Sequence, residues 1–334
     1  MGESRRPFNT DAGRCAGREA AILPGCGWRP PVAAPLLQLS RGRRKTAGLK
    51  VADFTIRDMH PAEICTVLAW AQREGWNPGL HDAACFYAAD AHGFFIGLLD
   101  GEPVGSISAV RYGEDYGFLG LYIVEPAYRG RGYGAELARK GMEYLAGRNM
   151  GLDGVVAQQE NYRKSGFGLA HRNMRYLGLT GQAAGAAQDT HSLVPLSWVP
   201  FSVVCTYDRE LFPAPREAFL KAWVSQPESS AIGAVEEGRL RGYGVIRTCH
   251  EGFRIGPLFA DDPDLAERLY LALTASVPTG QPVYLDIPET NTHALELAER
   301  HRMEMVFETA RMYSGAPPDI PIDRVFGITS FELG

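Results

Sequence analysis

Between residues 94 and 124 the chain alternates apolar runs with polar turns. Residues 94–99 and 104–112 flank Asp100-Gly101, and a third run covers 118–124. Short runs rich in Phe, Ile, Val and Tyr read as strands, with Asp-Gly as the hairpin turn. Residues 61–73 place apolar side chains at helical spacing, with Asp58 as a candidate cap. Residues 135–148 form a second helix with one apolar face. A strand over 152–157, a short helix over 159–165 and a closing strand over 170–177 follow. That order fits neither an all-parallel doubly wound sheet nor a barrel. It predicts an α/β (α+β mixed) fold, a mixed, mostly antiparallel sheet with helices on both faces.

The pattern then repeats. Ile96-Gly97-Leu98-Leu99-Asp100-Gly101 is echoed about 136 residues later by Ile232-Gly233-Ala234-Val235-Glu236-Glu237. Leu119-Gly120-Leu121-Tyr122 is echoed by Ile255-Gly256-Pro257-Leu258, and Glu125-Pro126 by Asp262-Pro263. Leu152-Asp153-Gly154-Val155 resembles Leu285-Asp286-Ile287-Pro288. Self-similarity of this kind marks two copies of one unit. The expected organisation is a leader over 1–50, a first domain over 51–178, a linker over 179–196 and a second domain over 197–334. The Ala, Gly and Gln around residue 185 carry the linker reading.

Charge sharpens the division. The chain of 334 residues has a net charge of −5, but the first 50 residues carry ten basic and three acidic side chains. The remainder carries 24 basic and 36 acidic groups, which argues against a broad nucleic-acid footprint. The Arg-rich leader is interrupted by Glu3, Asp11 and Glu19 and by Pro30-Pro31, so it reads as a tail or an extended start as readily as a targeting segment. No run of eighteen apolar residues predicts a membrane helix. Six cysteines without CxxC spacing fit reduced thiols in the cytoplasm, with Cys65 and Cys85 as small buried hydrophobes. The histidines lack ligand spacing, so no metal is expected.

The chemistry concentrates in Val124-Glu125-Pro126-Ala127-Tyr128-Arg129-Gly130-Arg131-Gly132-Tyr133-Gly134. A strand ends, glycines let the backbone approach a ligand, and a helix begins. Backbone N–H groups at a helix start cradle an anion such as phosphate. A dinucleotide fingerprint would need a parallel βαβ setting, and a Walker loop would need Gly-Lys-Ser/Thr.

Here the chain resembles the GNAT superfamily of N-acetyltransferases. Arg129-x-x-Gly132-x-Gly134 is similar to that family's acyl-CoA pyrophosphate loop. Asn161-Tyr162-Arg163-Lys164-Ser165-Gly166-Phe167 resembles its C-terminal helix. The resemblance covers 53–177 and extends to two-domain members with a divergent second half. It implies a tandem GNAT fold with a splayed central strand, and acetyl-CoA as cosubstrate. Tyr122, Ile123 and Val124 would pair with the pantetheine arm. Arg129, Gly130, Arg131, Gly132, Tyr133 and Gly134 would bind pyrophosphate. Asn161 and Lys164 would line the cofactor, and Tyr162 would protonate the leaving thiolate. The family's asparagine seven residues before that tyrosine is replaced by Val155.

Acyl transfer to an amine also needs an oxyanion donor, for which the Ile123 N–H is the candidate, and a base. Glu125 is the base candidate at the strand end. Glu74, Asp82, Glu114 and Asp115 are expected in loops bordering the acceptor channel. Trp76, Phe86, Tyr87 and Tyr112 would wall it, although Trp76 fits equally a residue that packs its own loop. In the second copy the glycine cradle is replaced by Asp262-Pro263-Asp264 and the tyrosine position by Ala298, so acyl-CoA binding is not expected there. Asp286, Glu289 and Asn291 are its candidate acceptor contacts. The expected activity is transfer of acetyl from acetyl-CoA to a primary amine of a small molecule. A CoA-binding scaffold or a protein-lysine acetyltransferase is the alternative.

Overall fold

The computed structural model describes residues 53–181 and 192–334. The leader, Met1–Lys50, and most of the expected linker lie outside the described residues. The first half runs β1 (Phe54–Asp58), α1 (Pro61–Arg73), α2 (Asp82–Ala89), β2 (Phe94–Leu99), β3 (Glu102–Tyr112), β4 (Tyr116–Val124), α3 (Tyr133–Tyr144), β5 (Asn149–Val155), α4 (Gln159–Lys164) and β6 (Gly168–Leu179). The second half runs β7 (Leu193–Pro195), α5 (Phe201–Leu211), α6 (Glu217–Trp223), β8 (Ser229–Glu236), β9 (Arg239–Thr248), β10 (Phe253–Ala260), α7 (Pro263–Ala275), β11 (Pro282–Pro288), α8 (Thr292–Arg300), β12 (Glu304–Tyr313) and β13 (Val325–Gly327).

Helix α1 starts where expected, but its cap differs. The His60 N–H donates to the Glu63 carboxylate at 2.8 Å, with Pro61 in the first turn. Pro61 needs no N–H partner there, so the capping box supersedes Asp58. Asp82, expected in a loop, instead opens α2. The buried face of that helix is Cys85 and Phe86. Two alanine pairs in eight residues give little periodicity to detect. Cys85 is buried as expected, but Cys65 is exposed.

The thirteen strands among the described residues belong to one sheet, ordered β1-β2-β3-β4-β5-β12-β6-β11-β10-β9-β8-β7, with β13 on β10. Two features position the site. First, β4 and β5 pair in parallel only from Tyr116 with Asn149 to Leu119 with Leu152. Beyond Leu119 they part, while β4 stays on β3 across an irregular register between Ser106 and Ser108. Leu121 sits there with φ of 44°, and its carbonyl accepts from the Ser106 hydroxyl at 2.7 Å. A left-handed Leu is strained, and the fixed carbonyl holds the bend.

Second, the halves exchange their last strands. β12, from the second half, pairs with β5, and β6, from the first, pairs with β11. β6 and β12 pair with each other between them. The exchange is locked by charge: Arg311 of β12 grips Asp153 of β5 at 2.6 and 2.8 Å, and Arg175 of β6 grips Asp286 of β11 at 2.7 and 2.9 Å. Buried pairs with this bidentate geometry fix register, because a slip would strand a charge. Residues 51–334 are accordingly one compact unit. One apolar core, from Met59 and Phe86 to Trp223 and Leu333, is shared by both halves, with Phe86 stacked on Trp223 at 6.2 Å.

Candidate active site

The parting of β4 from β5 opens a cavity of about 540 Å³. One wall is β4, through Gly120, Leu121, Tyr122, Ile123 and Val124, and another is the β5 end with Asp153, Gly154 and Val155. The turn into α3 closes one end with Tyr128, Arg129, Gly130, Gly132 and Gly134. Gly130 and Gly132 have φ of 73° and 94°, which an L side chain adopts only with strain. Gly134 serves space instead: a Cβ there would lie 2.6 Å from the Tyr122 hydroxyl. The N-cap of α3 is Gly132, which has no side chain to offer the first-turn N–H groups. Those donors and the positive helix end suit an anion. Arg129 is held in place, its Nε donating to the Val124 carbonyl at 2.8 Å and its Nη2 to Glu74.

Tyr162, on the short helix α4, also lines the cavity. Its ring lies where a Cβ on Gly154 would sit, so that glycine is required by close approach. Burial, with the Tyr122 phenol as a smaller contribution, pushes the Tyr162 hydroxyl up to about 12. The phenol is therefore protonated at neutral pH and is a proton donor rather than a base.

The remaining expected residues divide. Glu74 and Trp76 line the cavity. Arg131 and Tyr133 belong to the turn but not to the cavity wall: Arg131 lies over Tyr128 at 5.7 Å and Tyr133 packs on Phe54 at 4.6 Å. Asn161 donates to the Gln158 side chain at 2.7 Å, and on this side Gln158 and Ser165 line the cavity while Asn161 and Lys164 do not. Glu125 is ion-paired with Arg73 and is not among the residues lining the cavity.

Five acceptor candidates are structural. Asp82 is fully buried, accepting from Arg247 at 2.9 Å and from the Gly79 N–H at 2.8 Å. Asp286 is buried; burial opposes its charge, but Arg175 outweighs that and holds the carboxyl below its ordinary range. Asn291 caps α8 through the Ala294 N–H and donates to the carbonyls of Ile322, Asp323 and Val325. Tyr112 is buried and donates to the Leu333 carbonyl at 3.1 Å, while Tyr87 packs at the edge of the shared core. Polar residues at strand and helix ends look alike in sequence, whether they face a ligand or cap a backbone.

The second half supplies what the sequence did not announce. Phe307 and Thr309 from exchanged β12, and Phe331 and Glu332 from the C-terminal segment, line the same cavity. The equivalent gap between β10 and β11 is filled: they pair only over Phe253–Ile255, and β13 then lies on β10. The start of α7 is capped by its own Asp262, which accepts from the Leu265 N–H at 2.8 Å. Both anion site and gap are thus satisfied internally in the second copy. Among the described residues no cluster of three or more His, Cys, Asp or Glu is arranged to hold a metal.

Comparison with known proteins follows this division. Residues 62–167 match the model of the Acetyltransferase (GNAT) family, and residues 204–327 match that of an Acetyltransferase (GNAT) domain. The holothin acyltransferase of Pseudoalteromonas sp. (strain SANK 73390) is 32% identical over 79% of this chain and 89% of its own length. Among solved structures, a putative acetyltransferase from Pyrococcus horikoshii superposes with a TM-score of 0.72 at 24% identity, covering 87% of this chain and 99% of its own. A tandem GNAT protein from the clavulanic acid biosynthesis pathway superposes with a TM-score of 0.56 at 15% identity, covering 80% of this chain and all of its own.

Proposed function

The chain belongs to the GNAT family as a tandem acyltransferase, and from that premise we propose that it moves acetyl from acetyl-CoA to the primary amine of a small molecule. The observation that carries the proposal is a single cavity lined by the uncapped glycine turn, the parted strand β4 and the protonated Tyr162.

In this reading the pyrophosphate rests on the N–H groups of Gly130, Gly132 and Gly134, beside Arg129. The pantetheine arm follows β4 from Val124 to Tyr122. Ile123 shares with Glu125 the side of β4 turned to β3, where the Glu125 N–H donates to the Val104 carbonyl. In place of the expected Ile123 N–H, the thioester carbonyl therefore faces the gap-side N–H of Tyr122 or Val124, which stabilises the oxyanion. The amine attacks the carbonyl carbon, the N–C bond forms and the C–S bond breaks. Tyr162 gives its proton to the departing thiolate. Only the first half takes acyl-CoA, because the second is closed by β13 and Asp262.

The enclosure of the acceptor end by Trp76, Phe307 and Phe331 favours a small acceptor over a protein lysine. The similarity to a holothin acyltransferase makes holothin the first acceptor to try. The test is acetyl-CoA with a panel of small amines, holothin and a lysine peptide, following thiol release. Transfer to a small acceptor supports the reading. Thiol release without an acylated product, or transfer to the peptide alone, refutes it.

A further inference from the structure

Three carboxylates line the cavity: Glu74, Asp153 and Glu332. Glu74 is paired with Arg129. Asp153 takes two bonds from Arg311 and one, at 2.8 Å, from Asn173. Glu332 differs. It is 2% exposed, and neither of its carboxylate oxygens has a hydrogen-bond partner. A buried carboxylate left in that state is costly unless something completes it.

Its surroundings offset its charge but give it no hydrogen bond. Three buried arginines stand nearby. Arg175 closes on Asp286 and Arg247 on Asp82. The third, Arg254, spends Nη2 on the carbonyls of Trp76 and Asn77, both at 2.6 Å. Its Nη1 stops 3.9 Å from Glu332, and both Nη1 and Nε lack a partner. The third pair is thus held beyond hydrogen-bond reach. Thr309 Oγ1, on the same cavity, is also without a partner. Around them stand Trp76, Phe307 and Phe331, the two phenyl rings 6.0 Å apart and Arg175 over Phe331 at 4.6 Å.

The main chain of residue 332 packs on β4 where the gap opens. The Glu332 carbonyl abuts Gly120, where a Cβ would collide with it. Gly120 is the first β4 residue beyond the last β4–β5 pair, so Glu332 stands where the gap opens.

We propose that Glu332 binds the acceptor amine and takes its proton, and that the acceptor is a compact primary amine on a flat, apolar frame held by the three aromatic side chains. The proposal rests on the acyltransferase reading above. As the nitrogen bonds to the thioester carbon it loses one proton, which passes to Glu332. The C–S bond breaks and the thiolate receives the Tyr162 proton. Proton return from the Glu332 carboxyl to the Tyr162 phenolate through solvent restores both groups, so amine and thioester give amide and thiol.

The test uses full-length protein with acetyl-CoA and the best amine of the panel. Glu332→Gln is expected to keep its affinity for CoA by calorimetry and to lose about a hundredfold or more in kcat/KM for the amine, the range of a positioned base. A carboxylate serving only as counter-ion to Arg254 would instead lower the fraction of competent protein, with turnover per CoA-binding site unchanged. Because Glu332→Gln leaves Arg254 charged and alone, Arg254→Met with Glu332→Gln is made beside it. That pair is expected to fold and to remain as slow as the single variant. Recovery of wild-type turnover in the pair, or a loss below about threefold in the single variant, overturns the proposal while leaving the acyltransferase reading intact. A wild-type protein that acylates no amine overturns both.

Discussion

Replacing Tyr162 by Phe removes one oxygen and leaves the ring against Gly154. The size of the effect follows from the hydroxyl's state and from its task. Burial raises its pKa to about 12, so it is fully protonated across the working range. A positioned general acid contributes about 10²–10⁴-fold, and a thiolate, being a weak base among leaving groups, needs the least help. The expected loss is therefore near the lower end, about a hundredfold in kcat, with the KM for acetyl-CoA within about twofold. Steady-state thiol release measures it. The pH behaviour supplies a second check. The folded state holds this proton more tightly than the unfolded state does, so the associated stability is fully present below pH 10 and is lost as pH rises toward about 12. Two pKa units correspond to about 2–3 kcal/mol at most. Tyr162→Phe should flatten that alkaline fall in thermal melts and should introduce no new activity limb below pH 10. A kcat within about fivefold of wild type, or a change confined to KM, would refute the assignment of Tyr162 as the acid.

Other perturbations separate the parts of the site. Gly134→Ala places a Cβ 2.6 Å from the Tyr122 hydroxyl, so CoA affinity by calorimetry should fall at least about tenfold while the melting temperature changes little. Gly120→Ala forces the Glu332 carbonyl away from β4 and should raise KM for the amine more than KM for acetyl-CoA. Asp82→Asn strands the buried Arg247 charge and should cost about 3–5 kcal/mol in urea unfolding. Its kcat per folded molecule should stay near wild type, and a selective loss of amine turnover would return Asp82 to the acceptor site.

Most of the first half was legible because its signals are local. Alternation with an Asp-Gly turn gave β2 and β3, helical spacing gave α1 and α3, and alternating glycines before a helix gave the anion turn. The splayed strand and Tyr162 came from resemblance, and the cavity brings both together. What sequence could not give is long-range. No residue in β6 or β12 states which half it will pair with, because both strands carry the same alternation of apolar residues and charge. The decisive information is the matching of Arg311 to Asp153 and of Arg175 to Asp286 across more than a hundred residues. Asp82, Asp286 and Asn291 were misplaced for a related reason, since a polar side chain at an element's end reads alike as ligand or as cap. The segment from Ile328 to Gly334 carries no periodic pattern, yet it is buried throughout and brings Phe331 and Glu332 to the cavity.

Reciprocal strand exchange sets an order of events during synthesis. When β5 leaves the ribosome its neighbour β12 is about 150 residues from being made, and Glu332 follows later still. The nascent first half therefore waits with an open edge on β5 and an unpartnered β6, both templates for wrong pairing. A chain that stops before β12 lacks Phe307, Thr309, Phe331 and Glu332, so it cannot close the cavity. Premature termination anywhere upstream of β12 yields an inert, adhesive fragment rather than a weakened enzyme.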